Sequence, residues 1–101
     1  MKQTVVRYKI KPDQIEENTR LIKKVFAELQ AKAPDGVRYM TLSLSDGAFV
    51  HFATVEDAVG DNPIPKLDAF KAFIKDIAAR CLEPPQSATA SVVGNYGMID
   101  E

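Results

Sequence analysis

Two periodicities run through the chain. Thr4–Ile10 (TVVRYKI) is β-branched and alternates apolar with polar positions, the signature of a strand. Pro12 closes it, and Asp13 with Glu16 three residues on makes a capping-box-like helix start. Ile15, Ile22, Val25, Phe26, Leu29 and Ala33 then recur at helical spacing, with Glu16, Arg20, Lys23, Lys24 and Lys32 on the other side. This predicts an amphipathic helix of about 20 residues, ~30 Å long. Pro34-Asp35-Gly36 stops it. Val37–Leu44 and Phe49–Thr54 read as two strands joined by Ser45-Asp46-Gly47, a hairpin signal. A looser stretch, 55–65, follows. A second helix is predicted from Lys66 to Cys81, with Leu67, Phe70, Phe73, Ile74, Ile77, Ala78 and Cys81 as its stripe. Pro84-Pro85 is expected to end it, Ala88–Val93 to form the last strand, and a short polar tail to close the chain.

The order strand, helix, hairpin, helix, strand predicts one α+β domain over residues 1–101. Its architecture is the split, ferredoxin-like βαββαβ arrangement: a four-stranded antiparallel sheet with two helices on one face. The other face is left bare, and a second copy of the chain is expected to cover it.

Hairpin register decides what lies on each face, because a slip of one residue reverses every side chain. A two-residue Asp46-Gly47 turn would pair Leu42 with His51. A three-residue Ser45-Asp46-Gly47 loop, with Gly47 in the left-handed region, shifts the pairing by one. It groups Met40, Leu42 and Leu44 with Val50 and Phe52. Tyr39, Thr41 and Ser43 then fall with Phe49, His51 and Ala53. The second register separates an all-apolar row from a mixed one and is preferred. The apolar row, with Val6, Tyr8 and Ile10, is expected under the helices. Arg7, Lys9, Tyr39, Thr41, Ser43, Phe49, His51, Ser91, Val93 and Asn95 are expected on the bare face, where two sheets would enclose a cavity.

Composition narrows the function classes. The 13 Lys+Arg nearly cancel the 14 Asp+Glu, so nothing draws the chain to phosphate backbones or anionic membranes. Ala48-Phe49-Val50-His51-Phe52 matches half of an RNA-recognition signature, but Ser45-Asp46-Gly47 supplies neither its basic residue nor its other aromatic, and no nucleic-acid partner is expected. One cysteine, Cys81, permits no intrachain disulfide, and Met1–Ile10 lacks an apolar signal-peptide run, so a cytoplasmic, non-membrane protein is expected. One histidine and one cysteine cannot build a zinc site within a chain, so no metal is expected. No Gly-rich loop joins a strand to a helix, so no nucleotide cofactor is expected either.

The candidate chemistry is therefore sparse. His51, the only histidine, has an ordinary pKa of ~6.5 that suits proton transfer near neutrality; the alternative is a histidine held by hydrogen bonds in a core or interface. Arg7, Tyr39, Thr41 and Phe49 are the candidate substrate-binding residues. Asn18 lies between Ile15 and Ile22, near the inner stripe of the first helix. Cys81, at a helix end on the apolar stripe, reads as a core residue.

Three features together resemble a known superfamily: the element order, the helix-opening Lys11-Pro12-Asp13, and the run Phe49-Val-His-Phe-Ala-Thr-Val-Glu-Asp57. They resemble the dimeric α/β-barrel proteins, and among these the antibiotic biosynthesis monooxygenase-like branch. The resemblance implies homodimers with a cavity and, for some members, cofactor-free oxygenation of an aromatic or quinol-like molecule, or haem breakdown. Those members often carry a tryptophan late in the third strand and a histidine in the following helix. Here Val55 holds the strand position and no histidine follows His51. Three functions stay open: a monooxygenase-like enzyme with His51 as base, a non-catalytic ligand-binding or stress-associated barrel, and a purely structural dimer.

Overall fold

A computed structural model describes residues 1–98, and residues 99–101 of the polar tail lie outside the described part. The elements are β1 (Lys2–Ile10), α1 (Ile15–Lys32), β2 (Val37–Ser43), β3 (Ala48–Val55), α2 (Asp68–Ile74), α3 (Ile77–Arg80) and β4 (Cys81–Thr89). The sheet order is β2-β3-β1-β4, antiparallel throughout. This is the predicted βαββαβ arrangement. Among the described residues no helix is long and apolar enough to cross a membrane.

The hairpin closes through the three-residue loop. Leu42 pairs with Val50 and Thr41 with His51, and Gly47 sits at φ 88°, where only glycine is unstrained. The Asp46 carboxylate accepts the Ala48 N–H at 3.0 Å and steadies the turn.

The face assignment of this hairpin is the reverse of the sequence expectation. β1 settles it: Tyr8 lies opposite Phe49 and Val6 opposite His51, and directly opposed side chains share a face. The row with Tyr39, Thr41, Phe49 and His51 therefore joins Val6, Tyr8 and Ile10 beneath the helices. Met40, Leu42 and Leu44 stand on the open face, 40–47% exposed, beside Val50, Phe52, Arg7 and Lys9. Apolar content alone misplaces the rows, because the polar groups of the covered row satisfy one another and the apolar row stays outside.

The core is Tyr8, Ile10, Ile22, Val25, Phe49, Leu67 and Phe73. Tyr8 stacks on Phe49 (centroids 5.7 Å apart, planes 8° from parallel). α1 packs against α2, and Glu28 of α1 reaches across to accept the Ala69 N–H at 2.8 Å. That bond satisfies a free amide in the first turn of α2. Lys32, 2.8 Å away, and that amide hold the Glu28 carboxyl below its usual range.

The second helix differs from its expected extent. It breaks after Ile74, with Asp76 at φ 61°, and resumes for one turn as α3. The Arg80 side chain donates to the carbonyls of Phe73 (2.6 Å) and Lys75 (3.1 Å), taking up C-terminal acceptors of α2. The break lets the chain turn directly into β4, where Cys81 pairs with Ile10. β4 thus runs through Pro84-Pro85 instead of starting at Ala88. An edge strand tolerates prolines, and the ladder to β1 shifts register between Arg7 and Lys9. Ser91, Val93 and Asn95 follow the sheet instead of lining its bare face.

Candidate functional site

Short side chains leave room under α2. Thr4 and Ala53, both short, oppose one another on the helix-covered face of the sheet and line the space beneath the helices. The result is a cavity of about 310 Å³ within a single chain. Thr4, Val6 and Tyr8 of β1 and Val55, Ala53 and His51 of β3 form its floor. Ile64, Pro65, Phe70, Phe73, Ile74 and Ile77 form its roof and wall, and Lys2 and Asn62 stand at one end. Tyr39, Tyr8 and His51 close the other. The volume is roughly twice the ~150 Å³ of a cavity that takes up benzene. This cavity lies between sheet and helices, a different place from the space between two sheets expected from the sequence.

A continuous line of buried polar groups leads to this inner end. Arg80 Nε donates to Asn18 Oδ1 (3.3 Å), and Asn18 Nδ2 donates to Tyr8 Oη (3.0 Å). Tyr8 Oη meets His51 Nε2 at 2.7 Å. On the far side of the ring, His51 Nδ1 meets Tyr39 Oη at 2.5 Å and Thr41 Oγ1 at 3.1 Å. Asn18 is 0% exposed and Tyr8 1%, and no buried side-chain polar atom of the described residues lacks a partner. Complete pairing is what makes so polar a core affordable. The Arg80 guanidinium also lies over the Phe73 ring, 5.7 Å from its centre.

Burial sets the electrostatics. It lowers the His51 pKa to about 4, so the imidazole is neutral at pH 7, below the value expected from sequence. It raises Tyr39 to about 12 and Tyr8 further, so both keep their protons. The inner end can thus donate and accept hydrogen bonds with neutral groups, but it offers no base matched to pH 7.

The sequence-predicted residues separate. Tyr39 lines the cavity, stacked on Phe26 (5.0 Å, 10°), and His51 and Thr41 meet behind its hydroxyl. Phe49 is buried under Tyr8 and does not line the cavity. Arg7 pairs with Val50 and Gln86 on the opposite face, away from His51. Cys81 is half-buried at the start of β4, its thiol pushed up by burial. Tyr8 and Arg80 were missing from the sequence-level site. Phe73, Ile77 and Arg80 fall at i, i+4 and i+7, so a cation on the apolar stripe was the available signal. Among the described residues no three His, Cys, Asp or Glu side chains gather to hold a metal ion.

By sequence the chain matches no protein-family model and no curated protein. Its fold matches solved structures closely. One is an antibiotic biosynthesis monooxygenase: TM-score 0.72, 16% identity, covering 93% of this chain and 100% of that one. A second is Rv0793 from Mycobacterium tuberculosis: TM-score 0.71, 14% identity, 93% and 96% covered. A third is the NE2512 protein of unknown function from Nitrosomonas europaea: TM-score 0.67, 18% identity, 94% and 92% covered. The chain has the ferredoxin-like fold of the antibiotic biosynthesis monooxygenase-like proteins.

Proposed function

We propose that the chain takes a small aromatic molecule into the cavity under α2 and acts on it as a monooxygenase-like enzyme without a cofactor. The observation that carries the reading is an apolar, bicycle-sized cavity ending on the hydrogen-bonded Tyr39–His51 pair. In such a reaction the substrate is deprotonated and its anion reduces dioxygen: one oxygen atom forms a new C–O bond on the ring, the O–O bond breaks, and the other oxygen leaves as water with two hydrogens of the substrate, so that naphthohydroquinone and dioxygen give hydroxynaphthoquinone and water. The Tyr39 hydroxyl, held protonated by burial, suits stabilisation of the anionic oxygen. His51 then acts as the group that orients Tyr39, in place of the base expected from sequence, and the substrate proton leaves to water. Thr41 Oγ1 meets the same ring nitrogen of His51 at 3.1 Å.

The open sheet face supports a second part of the reading. Met40, Leu42, Leu44, Val50 and Phe52 make a contiguous apolar row, the kind of surface that marks an interface. We take its occupant to be a second copy of the chain, sheet against sheet.

The test is dioxygen uptake with naphthohydroquinone. The expected result is uptake above the buffer rate, falling roughly 100-fold in Tyr39→Phe, the loss typical of one transition-state donor. One observation favours a second reading, a non-catalytic binding protein: no group at the inner end is a base near pH 7. Aromatic binding without oxygen uptake would support it and overturn the enzyme reading.

A further inference from the structure

The polar line has a direction. A guanidinium only donates, so Arg80 fixes Asn18 with Oδ1 toward itself and Nδ2 toward Tyr8. Tyr8 Oη is then an acceptor from Asn18 and still holds one hydrogen of its own. Two arrangements remain. In the first, Tyr8 donates to His51 Nε2, and the imidazole carries its proton on Nδ1, facing Tyr39 and Thr41. In the second, Nε2–H donates to Tyr8, and Nδ1 accepts from Tyr39. The second strands the Tyr8 hydrogen at a residue 1% exposed, where Asn18 and His51 are its hydrogen-bond neighbours and both already donate. Such a loss costs more than a hydrogen left over on Tyr39, because Tyr8 and Tyr39 both border the cavity but Tyr8 is 1% exposed and Tyr39 only half-buried. The first arrangement is therefore the stable one. Tyr39 Oη then accepts from Nδ1–H; its hydrogen bond with Thr41, which favours the phenolate, is one in which Thr41 donates, so the Tyr39 hydrogen is left for the cavity.

We infer that Arg80 and Asn18, which do not themselves line the inner end, are positioning residues that set the His51 tautomer, and that the cavity therefore holds its aromatic ligand by an acceptor oxygen, a carbonyl or a phenolate, and not by a donor. This rests on the reading of the cavity as a binding site. Asn18→Asp reverses the line while changing few atoms. The new carboxylate accepts from Arg80 and has no N–H for Tyr8, so Tyr8 donates to it. Nε2–H then donates to Tyr8, Nδ1 accepts from Tyr39, the nearer of its two hydroxyl neighbours (2.5 Å against 3.1 Å for Thr41), and the cavity loses its donor.

The histidine ring nitrogens report this directly, because the chain has one histidine. Nitrogen-15 NMR at pH 7 should find the wild-type proton on Nδ1 and the Asn18→Asp proton on Nε2. Calorimetry with α-tetralone and tetralin, which differ by one carbonyl, reads the consequence. Wild type should prefer the ketone by about tenfold, the worth of one hydrogen bond. Asn18→Asp and Tyr39→Phe should both lose the preference while binding tetralin unchanged. A wild-type proton on Nε2, or equal affinity for both probes, overturns the inference. Failure of both probes to bind overturns the cavity reading instead, and the ring spectra still decide the tautomer. Should Asn18→Asp not fold, wild type and Tyr39→Phe decide the matter alone.

Discussion

Acid should weaken this fold through one residue. His51 is 6% exposed, and burial depresses its folded pKa to about 4. In the unfolded chain it titrates near ~6.5. Above pH 6.5 both states are neutral and stability is at its full value. As pH falls from 6.5 towards 4, the unfolded state takes up the proton and the folded state does not, so stability falls; below 4 both are charged and the loss levels off. With these two values the loss between pH 7.5 and pH 5 is about 2 kcal/mol, a large part of a small domain's stability. Urea unfolding at both pH values, for wild type and for His51→Gln, isolates the effect because no other histidine contributes. The wild-type curve should drop by the stated amount more than the variant's. Parallel curves would refute the claim that the ring is neutral and desolvated in the fold.

Three further outcomes follow from the same contacts. Tyr8→Phe removes the hydroxyl between Asn18 and His51 and leaves two buried polar groups unpaired; it should cost about 2–4 kcal/mol, seen in calorimetry as a melting point lower by roughly 10–20 °C. Ala33, which ends α1 at φ 42° with its N–H on the Leu29 carbonyl, strains a left-handed position, so Ala33→Gly should raise stability by about 1 kcal/mol in urea titration. Leu42→Lys puts a charge in the middle of the open apolar row; in sedimentation wild type should run as a dimer and the variant as a monomer, with unchanged circular dichroism.

The element order, both turns of the hairpin region and the long first helix were legible because each rests on local chemistry: periodicity, Pro34-Asp35-Gly36, and Gly47 in its loop. What was not legible depends on pairing between distant segments. The face of His51 follows from Val6 lying opposite it, a long-range register that no local pattern carries. The early start of β4 follows from Arg80 taking carbonyls of α2, which defeats the helix propensity of the stripe and brings Pro84-Pro85 into an edge strand. Within the candidate site, His51, Tyr39 and Thr41 were grouped correctly by parity. Their surroundings were not, because the partners that let them sit in a core, Tyr8, Asn18 and Arg80, come from three other elements.

The most direct test of the account is where an aromatic molecule sits. Nuclear Overhauser contacts from α-tetralone should reach the methyl groups of Val6, Ile64 and Ile77, which line the cavity under α2. Contacts confined to Met40 and Leu42 on the open face would instead place the ligand between two sheets and contradict the central claim.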